Sequence, residues 1–241
     1  MTTTGTSTFN LDIAELIEEA FERCGKELRS GYDFKTARRS LNLLTIEWAN
    51  RGINLWTVEQ GSIPMVQGTI TYDLPIDTID LLDHVIRTGT GQNQTDINIS
   101  RISEPTYSTI PNKNATGRPI QVWINRQSGA TYPTTGVAYP QINVWPAPDQ
   151  GPSGTPYYTF VYWRLRRIQD SGTGAKTQDI PFRFLNAMVA GLAYYLSIKL
   201  PEVSPDRINM LKMDYEQQYQ LAADEDREKA PVRLVPRIIR Y

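Results

Sequence analysis

The sequence predicts an α+β protein in which a four-helix bundle carries a β-rich domain inserted between its second and third helices, followed by an extended C-terminal tail. Three patterns predict this fold: helical spacing of apolar residues near both ends, alternation with period two in the middle, and a final proline-containing stretch without acidic residues. The predicted regions are a helical pair at 1–52, a β-rich insert at 53–178, a second helical pair at 179–229 and a docking tail at 230–241.

The first helical pair is predicted from two stripes of apolar residues. The first helix is expected to take Asn10 as its N-cap residue and to end at Gly31. Its stripe consists of Ile13, Ile17, Ala20, Phe21, Cys24 and Leu28. The second helix is expected to run from Asp33, as its N-cap residue, to Gly52. Because only a short turn separates them, the two helices should be antiparallel neighbours.

The middle of the chain alternates apolar and polar residues between clusters of Gly, Pro, Asn and Ser, which is typical of strands and turns. Two stretches without clear alternation, 89–115 and 147–156, are predicted to be long exposed loops. The predicted strands cover 69–74, 120–124, 141–145 and 157–167.

The second helical pair follows the strands. The third helix is predicted to open at 179–181 and to end before Pro201, and it is apolar on nearly all sides, which places it centrally in the bundle. The fourth helix is expected to have Ser204 as its N-cap residue and Pro205 at its first position. It finishes in the charged run at 224–229.

Residues that could carry catalysis or bind a metal are scarce, since the chain has one histidine and one cysteine. Cys24 lies on an apolar helix stripe and is interpreted as a packing residue, and His84 in a predicted strand as a structural or surface residue. The segment 171–177 resembles a phosphate-binding loop, but Ala175 stands where that motif requires glycine. We therefore expect no catalytic residue, no cofactor and no metal, and hence no enzyme.

The strand predicted at 157–167 combines aromatic and basic side chains. The face expected to bind another protein consists of Tyr158, Phe160, Tyr162, Arg164 and Arg166, and the face expected in the core of Tyr157, Val161, Trp163 and Leu165. Nucleic-acid binding by the same aromatic and basic residues is the alternative. The net charge of -1 gives no overall reason to expect DNA or an anionic membrane as the main partner.

The C-terminal segment at 230–241 is predicted to dock on a partner as an extended peptide. Pro231 and Pro236 prevent it from continuing the fourth helix, and its apolar content is unlike that of a disordered tail. Strand addition or groove filling would suit such a peptide. The predicted docking residues are Val232, Arg233, Leu234, Val235, Arg237, Ile238, Ile239, Arg240 and Tyr241.

Charge is segregated along the chain although it nearly cancels overall. Residues 1–30 hold six acidic and three basic residues, whereas residues 91–178 hold four acidic and eight basic residues. On the first helix, the acidic side chains Glu15, Glu18, Glu19 and Glu22 mostly lie opposite the apolar stripe. This polarity suits a self-associating ring with distinct faces, and a solvated surface also explains much of it.

Several short motifs make the sequence similar to the head-to-tail adaptor, or connector, proteins of podovirus-type bacteriophages. The resemblance covers most of residues 9–240 and implies a helical bundle with an inserted β domain. The motifs are ARRSLN at 37–42, WANRGINLW at 48–56, IPNK at 110–113, GRP at 117–119, DIPFRFL at 179–185 and EDR at 225–227. These motifs are structural, so the resemblance carries over no catalytic residue.

The resemblance implies a virion structural protein, made in the cytoplasm of a bacterial host and located at the head-to-tail interface. Its expected partners are further copies of itself in a ring of twelve, the portal protein, and a tail nozzle or tail tubular protein. Genomic DNA would pass through the ring without sequence-specific binding, and no membrane is involved. The alternatives are a tail-tube or neck-completion protein and, from another class, a DNA-binding protein that uses the strand at 157–167.

Overall fold

The chain divides into two units that differ in secondary structure. Unit 1 joins Met1–Leu55 to Ile168–Tyr241, and unit 2 is the continuous stretch Trp56–Arg167. The computed structural model describes residues 3–52, 55–89, 91–126, 139–150 and 157–226.

The described residues contain five α-helices, of which four lie in unit 1. A short 3-10 helix, Phe182–Phe184, leads directly into the fourth. The helices are α1 (Ile13–Arg23), α2 (Gly31–Asn50), α3 (Glu104–Ser108), α4 (Leu185–Ser197) and α5 (Pro205–Glu225).

The N-terminus of α1 is fixed by a capping box. Asp12 accepts a hydrogen bond from the Glu15 backbone N–H at 2.8 Å, and the Glu15 carboxylate accepts one from the Asp12 N–H at 3.1 Å. The predicted cap at Asn10 is therefore wrong by two residues. The helix also ends earlier than the predicted Gly31, because Gly25 adopts a positive φ of 76° just beyond the last turn.

Serine side chains cap two further helices of unit 1, α2 and α5. Ser30 accepts a hydrogen bond from the Asp33 backbone N–H at 3.2 Å, so Asp33 lies in the first turn of α2 and is not the predicted N-cap residue. Ser204 caps α5 and Pro205 occupies its first position, as predicted. Proline is tolerated there because its missing N–H would have no partner within the helix.

Residues 168–178 belong to unit 1, so the β-rich part ends earlier than the predicted residue 178. The backbone N–H groups of Ile13 and Ala14 donate to the carbonyls of Lys176 and Gly174 at 2.8 and 3.0 Å. These first-turn donors of α1 would otherwise have no partner within the helix. The segment that resembles a phosphate loop thus directs carbonyl oxygens at a helix N-terminus, an arrangement that would repel a phosphate.

Helix α4 is the element against which α1, α2 and α5 all pack. Ten of its 13 residues are buried, and Asn186 is the only one that is exposed. Gly191 allows the closest approach, because a Cβ atom there would lie 2.9 Å from Leu44 of α2 and 2.8 Å from the Tyr215 ring of α5. Its central, nearly all-apolar character agrees with the sequence pattern.

The strands of unit 2 form three sheets within the described residues. One sheet has the order β1-β10-β3-β4 and is antiparallel, one has the order β2-β8-β7-β5 with β5 parallel to β7, and β6 pairs with β9. The strands are β1 (Val58–Pro64), β2 (Thr71–Asp73), β3 (Thr78–Thr88), β4 (Thr95–Asn98), β5 (Ser100–Ile102), β6 (Thr116–Gly117), β7 (Gln121–Asn125), β8 (Gln141–Trp145), β9 (Ala147–Pro148) and β10 (Tyr158–Arg166).

The two four-stranded sheets share one apolar core. Its buried residues come from β3 and β10 of the first sheet and from β2, β7 and β8 of the second, among them Ile86, Phe160, Val122 and Ile142.

The four predicted strands are present, with β8 at the predicted bounds. The predicted loop at 89–115 is wrong in part, since it contains β4, β5 and α3, and most of the predicted loop at 147–156 lies outside the described residues.

We predict that Gly191→Leu lowers the free energy of unfolding by about 3 kcal/mol, because overpacking of a filled core is destabilising. Leucine is the better helix former, so helix propensity alone would predict a more stable protein. Chemical denaturation followed by circular dichroism measures the difference.

Gly31→Leu is the matched control, because Gly31 also lies in a helix but has no atom within 4 Å of an added Cβ. Its effect on the free energy of unfolding should stay within about 0.5 kcal/mol. Equal stability of the two variants would show that α4 does not approach α2 and α5 as closely as described.

Candidate interaction surfaces

The strand face predicted to bind another protein is buried inside unit 2. Tyr158, Phe160 and Tyr162 are at most 5% exposed and belong to the shared apolar core. On the opposite face Val161 is buried as predicted, but Tyr157 is 49% exposed. The prediction that the even-numbered face is available to a partner is therefore wrong. Both faces of this strand are largely apolar, and alternation alone does not identify the one that enters the main core.

Arg164 and Arg166, at the end of the same face, are also buried and are held by carboxylates. Arg164 bonds Glu59 at 2.8 Å and pairs with Asp77, and Arg166 bonds Glu59 at 2.6 Å. Glu59 lies directly opposite Arg164 on the neighbouring strand β1. The guanidinium hydrogen bonds lower the pKa of the Asp77 carboxyl. Because their charges pair with carboxylates of unit 2, these arginines do not provide the DNA contact of the alternative hypothesis.

The histidine and the cysteine are both buried packing residues. His84 stacks on Phe160 with ring centroids 5.9 Å apart, and burial lowers the pKa of its imidazole. Cys24 donates to the Ala193 carbonyl at 3.2 Å, and burial raises the pKa of its thiol to about 11, so the reactive thiolate is scarce at neutral pH. Within the described residues, no cluster of three or more His, Cys, Asp or Glu side chains could hold a metal ion.

A network of aromatic and charged side chains ties α2 to α4 and α5. Trp48 donates to the Tyr215 hydroxyl at 3.0 Å, and Glu47 accepts from the hydroxyls of Tyr215 and Tyr195 at 3.2 and 2.6 Å. Arg51 makes a bidentate contact with Glu216 at 2.8 and 2.9 Å. The groups satisfy one another, so the network holds the three helices together.

Exposed apolar side chains form a surface beside this network. Leu43 and Ile46 of α2 are 48% and 49% exposed, and Ile198, just after α4, is 58% exposed. Leu43 and Ile198 line one groove of about 490 Å³, and Ile46 lies one helical turn from Leu43. We call these three residues the apolar helix patch. The sequence carries a signal for this patch, since Leu43 and Ile46 fall outside the buried stripe of an amphipathic helix.

A second groove, of about 730 Å³, runs along α1 and is called the α1 groove. Its apolar lining includes Phe9 and Phe182, which are both 77% exposed, and Leu185 and Val189 of α4. Its other lining residues include four glutamates of α1, namely Glu15, Glu18, Glu19 and Glu22. The acidic face predicted for the first helix thus borders an apolar depression.

The predicted docking tail at 230–241 lies outside the described residues, which end at Asp226. That last residue is buried and pairs with Arg183 of the 3-10 helix before α4. None of the helices in the described part of the chain is long and apolar enough to span a membrane.

Comparison with known proteins identifies the family. The model of the SU10 adaptor protein family matches residues 11–237, nearly the whole chain. The chain belongs to this family. No curated protein matches it.

Membership in the SU10 adaptor family makes the chain a bacteriophage structural adaptor, a component of the virion that contacts other phage structural proteins. This agrees with the phage adaptor resemblance read from the sequence, at the level of an adaptor.

We predict that Arg164→Met lowers the free energy of unfolding at pH 7 by about 1–3 kcal/mol, since charge-assisted hydrogen bonds to two carboxylates are lost. Asp77 has a lowered pKa in the folded protein, so its contribution to stability is present above its unfolded pKa of about 4 and is lost as pH falls through the folded value. Denaturation measured across the acid range should therefore show a weaker pH dependence for the variant.

Arg126→Met is the matched control, because Arg126 also pairs with an aspartate but its side chain is 54% exposed. Its cost should be at most about 0.5 kcal/mol. If the two variants lose the same stability, the buried arginine contacts have no special importance.

Proposed function

We propose that this SU10-family adaptor forms a ring of copies that joins the portal to the tail nozzle and lets genomic DNA pass. Twelve copies are proposed from the resemblance to head-to-tail adaptors of podovirus-type phages. The observation that carries the proposal is the match of an adaptor family model to residues 11–237. The function of the protein is then to connect the portal and the tail nozzle mechanically.

Support for self-association comes from the apolar helix patch. Leu43 and Ile46 lie one helical turn apart on α2, Ile198 lines the same groove as Leu43, and all three side chains remain exposed in the isolated chain. Covering them with a second copy would gain the transfer free energy of burial, about 25 cal/mol per Å² of apolar area. Exposed apolar surface of this kind is typical of protein interfaces.

Support for portal joining comes from the composition of the segment 230–241. Its three arginines could make charge-assisted contacts with carboxylates of the portal, and its aliphatic residues could fill a groove there. A tail that works in this way is dispensable for folding, because unit 1 obtains its core from α1, α2, α4 and α5.

We predict that Leu43→Asp leaves the monomer folded but abolishes ring formation, because the patch would carry a charge into the contact between copies. Native mass spectrometry of the adaptor assembled on portal rings measures the number of copies bound. The thermal unfolding temperature should stay near that of the wild type, since Leu43 is 48% exposed.

Leu82→Asp is the matched control: the same change is made at a leucine that is 58% exposed in unit 2. This variant should assemble as the wild type does. A full ring in the Leu43→Asp variant would exclude the apolar helix patch as the contact between copies.

We also predict that deletion of 230–241 gives a folded protein that no longer sediments with portal rings. Thermal unfolding of the truncated chain checks the first part, and co-sedimentation with purified portal checks the second. Truncated protein that still sediments with the portal would remove the anchoring role. Truncated protein that fails to fold would assign the segment to the core of the monomer.

A further inference from the structure

The α1 groove is an apolar depression in unit 1 that the described residues leave open. Phe9 and Phe182 both line it and are both 77% exposed, although aromatic side chains of this size gain about 1.5–3 kcal/mol when they are fully buried. Its volume of about 730 Å³ lies in the usual range of ligand-binding clefts, roughly 300–1,000 Å³. The groove is therefore large enough for several aliphatic side chains.

The charge along the groove is strongly negative. Four glutamates line it, and Arg23 is the one basic residue among its described lining residues. Arg23 is already held by Glu19 at 3.0 Å and by Asn186 at 2.9 Å. Glu18 and Glu22 are exposed and have no ion-pair partner within the described residues. An occupant should therefore combine aliphatic side chains with positive charge.

One segment of this chain has that composition. Residues 230–241 carry three arginines and no acidic side chain. They also carry the aliphatic residues Val232, Leu234, Val235, Ile238 and Ile239. The two prolines keep such a segment from forming a regular helix, which favours an extended peptide that can lie along a groove.

The position of the last described residue brings this segment to the groove. Helix α5 ends at Glu225, and the following Asp226 pairs with Arg183, the neighbour in sequence of the groove residue Phe182. The chain therefore leaves α5 beside the groove. A stretch of 12 extended residues reaches about 40 Å, and tethering at one end gives a high effective concentration.

We propose that residues 230–241 dock in the α1 groove of their own molecule, with arginines against the glutamates of α1 and aliphatic side chains against Phe9 and Phe182. Docking buries apolar surface that is otherwise exposed on both partners. If the same segment joins the portal, the groove and the portal compete for it; this consequence, unlike the docking itself, rests on the proposed function.

The test places a fluorophore at the C-terminus of the full-length protein through Tyr241→Cys and maleimide labelling. Cys24 should stay unlabelled, because it is buried and its thiol pKa is raised to about 11. With no portal present, we expect high fluorescence anisotropy that falls as salt is added, because salt screens the arginine–glutamate attraction. Glu18→Lys and Phe182→Ala should lower the anisotropy to the value that the wild type reaches at high salt.

Two matched controls lie outside the groove. Glu27→Lys makes the same charge change at an exposed glutamate, and Tyr32→Ala removes an aromatic ring that is also 77% exposed. Both should keep the wild-type anisotropy. The proposal is overturned if the anisotropy of the groove variants matches that of the wild type, or if the controls lose as much anisotropy as the groove variants. It is also overturned if dilution lowers the anisotropy, because that would indicate docking on a second copy. Because no portal is used, the result bears on docking alone and is separate from the portal sedimentation experiment.

Discussion

The close contact of α4 with α2 and α5 at Gly191 is the constraint on which unit 1 depends. The helix is buried along nearly its whole length, and the missing side chain brings Leu44 and the Tyr215 ring against its backbone. Two parts of the chain that are distant in sequence are thereby joined. The hydrogen bond from Trp48 to Tyr215 and the shared carboxylate of Glu47 then fix the polar groups around this contact.

Unit 2 has a different constraint, because one of its central strands places charged side chains in a buried position. Strand β10 lies between β1 and β3. One end of β10 contributes aromatic side chains to the apolar core, and the other end carries two buried arginines. A buried guanidinium is tolerated only when carboxylates pair with it, and Glu59 and Asp77 do so here. The aromatic and basic character of this strand is thus explained by packing and internal ion pairing, without any nucleic acid.

An adaptor of the SU10 family works through its surfaces, and in this chain the informative surfaces are on unit 1. The apolar helix patch and the α1 groove both expose side chains that ordinarily seek burial. They differ in charge, because the α1 groove is bordered by glutamates whereas the patch groove contains Lys199 and Lys212 as well as carboxylates. The two surfaces should therefore select different partners.

The sequence by itself determined the two helical pairs, four of the strands, the cap at Ser204 and the buried character of α4, because these depend on local spacing and capping chemistry. Its short motifs also carried the phage adaptor resemblance. Only the tertiary structure decided which face of β10 is buried, since both faces carry large apolar side chains and burial of Arg164 depends on Glu59 and Asp77 from other segments. It also decided which apolar side chains stay exposed. Whether a side chain is buried depends on the neighbours that packing brings together, and the residue spacing of one strand or helix does not identify those neighbours.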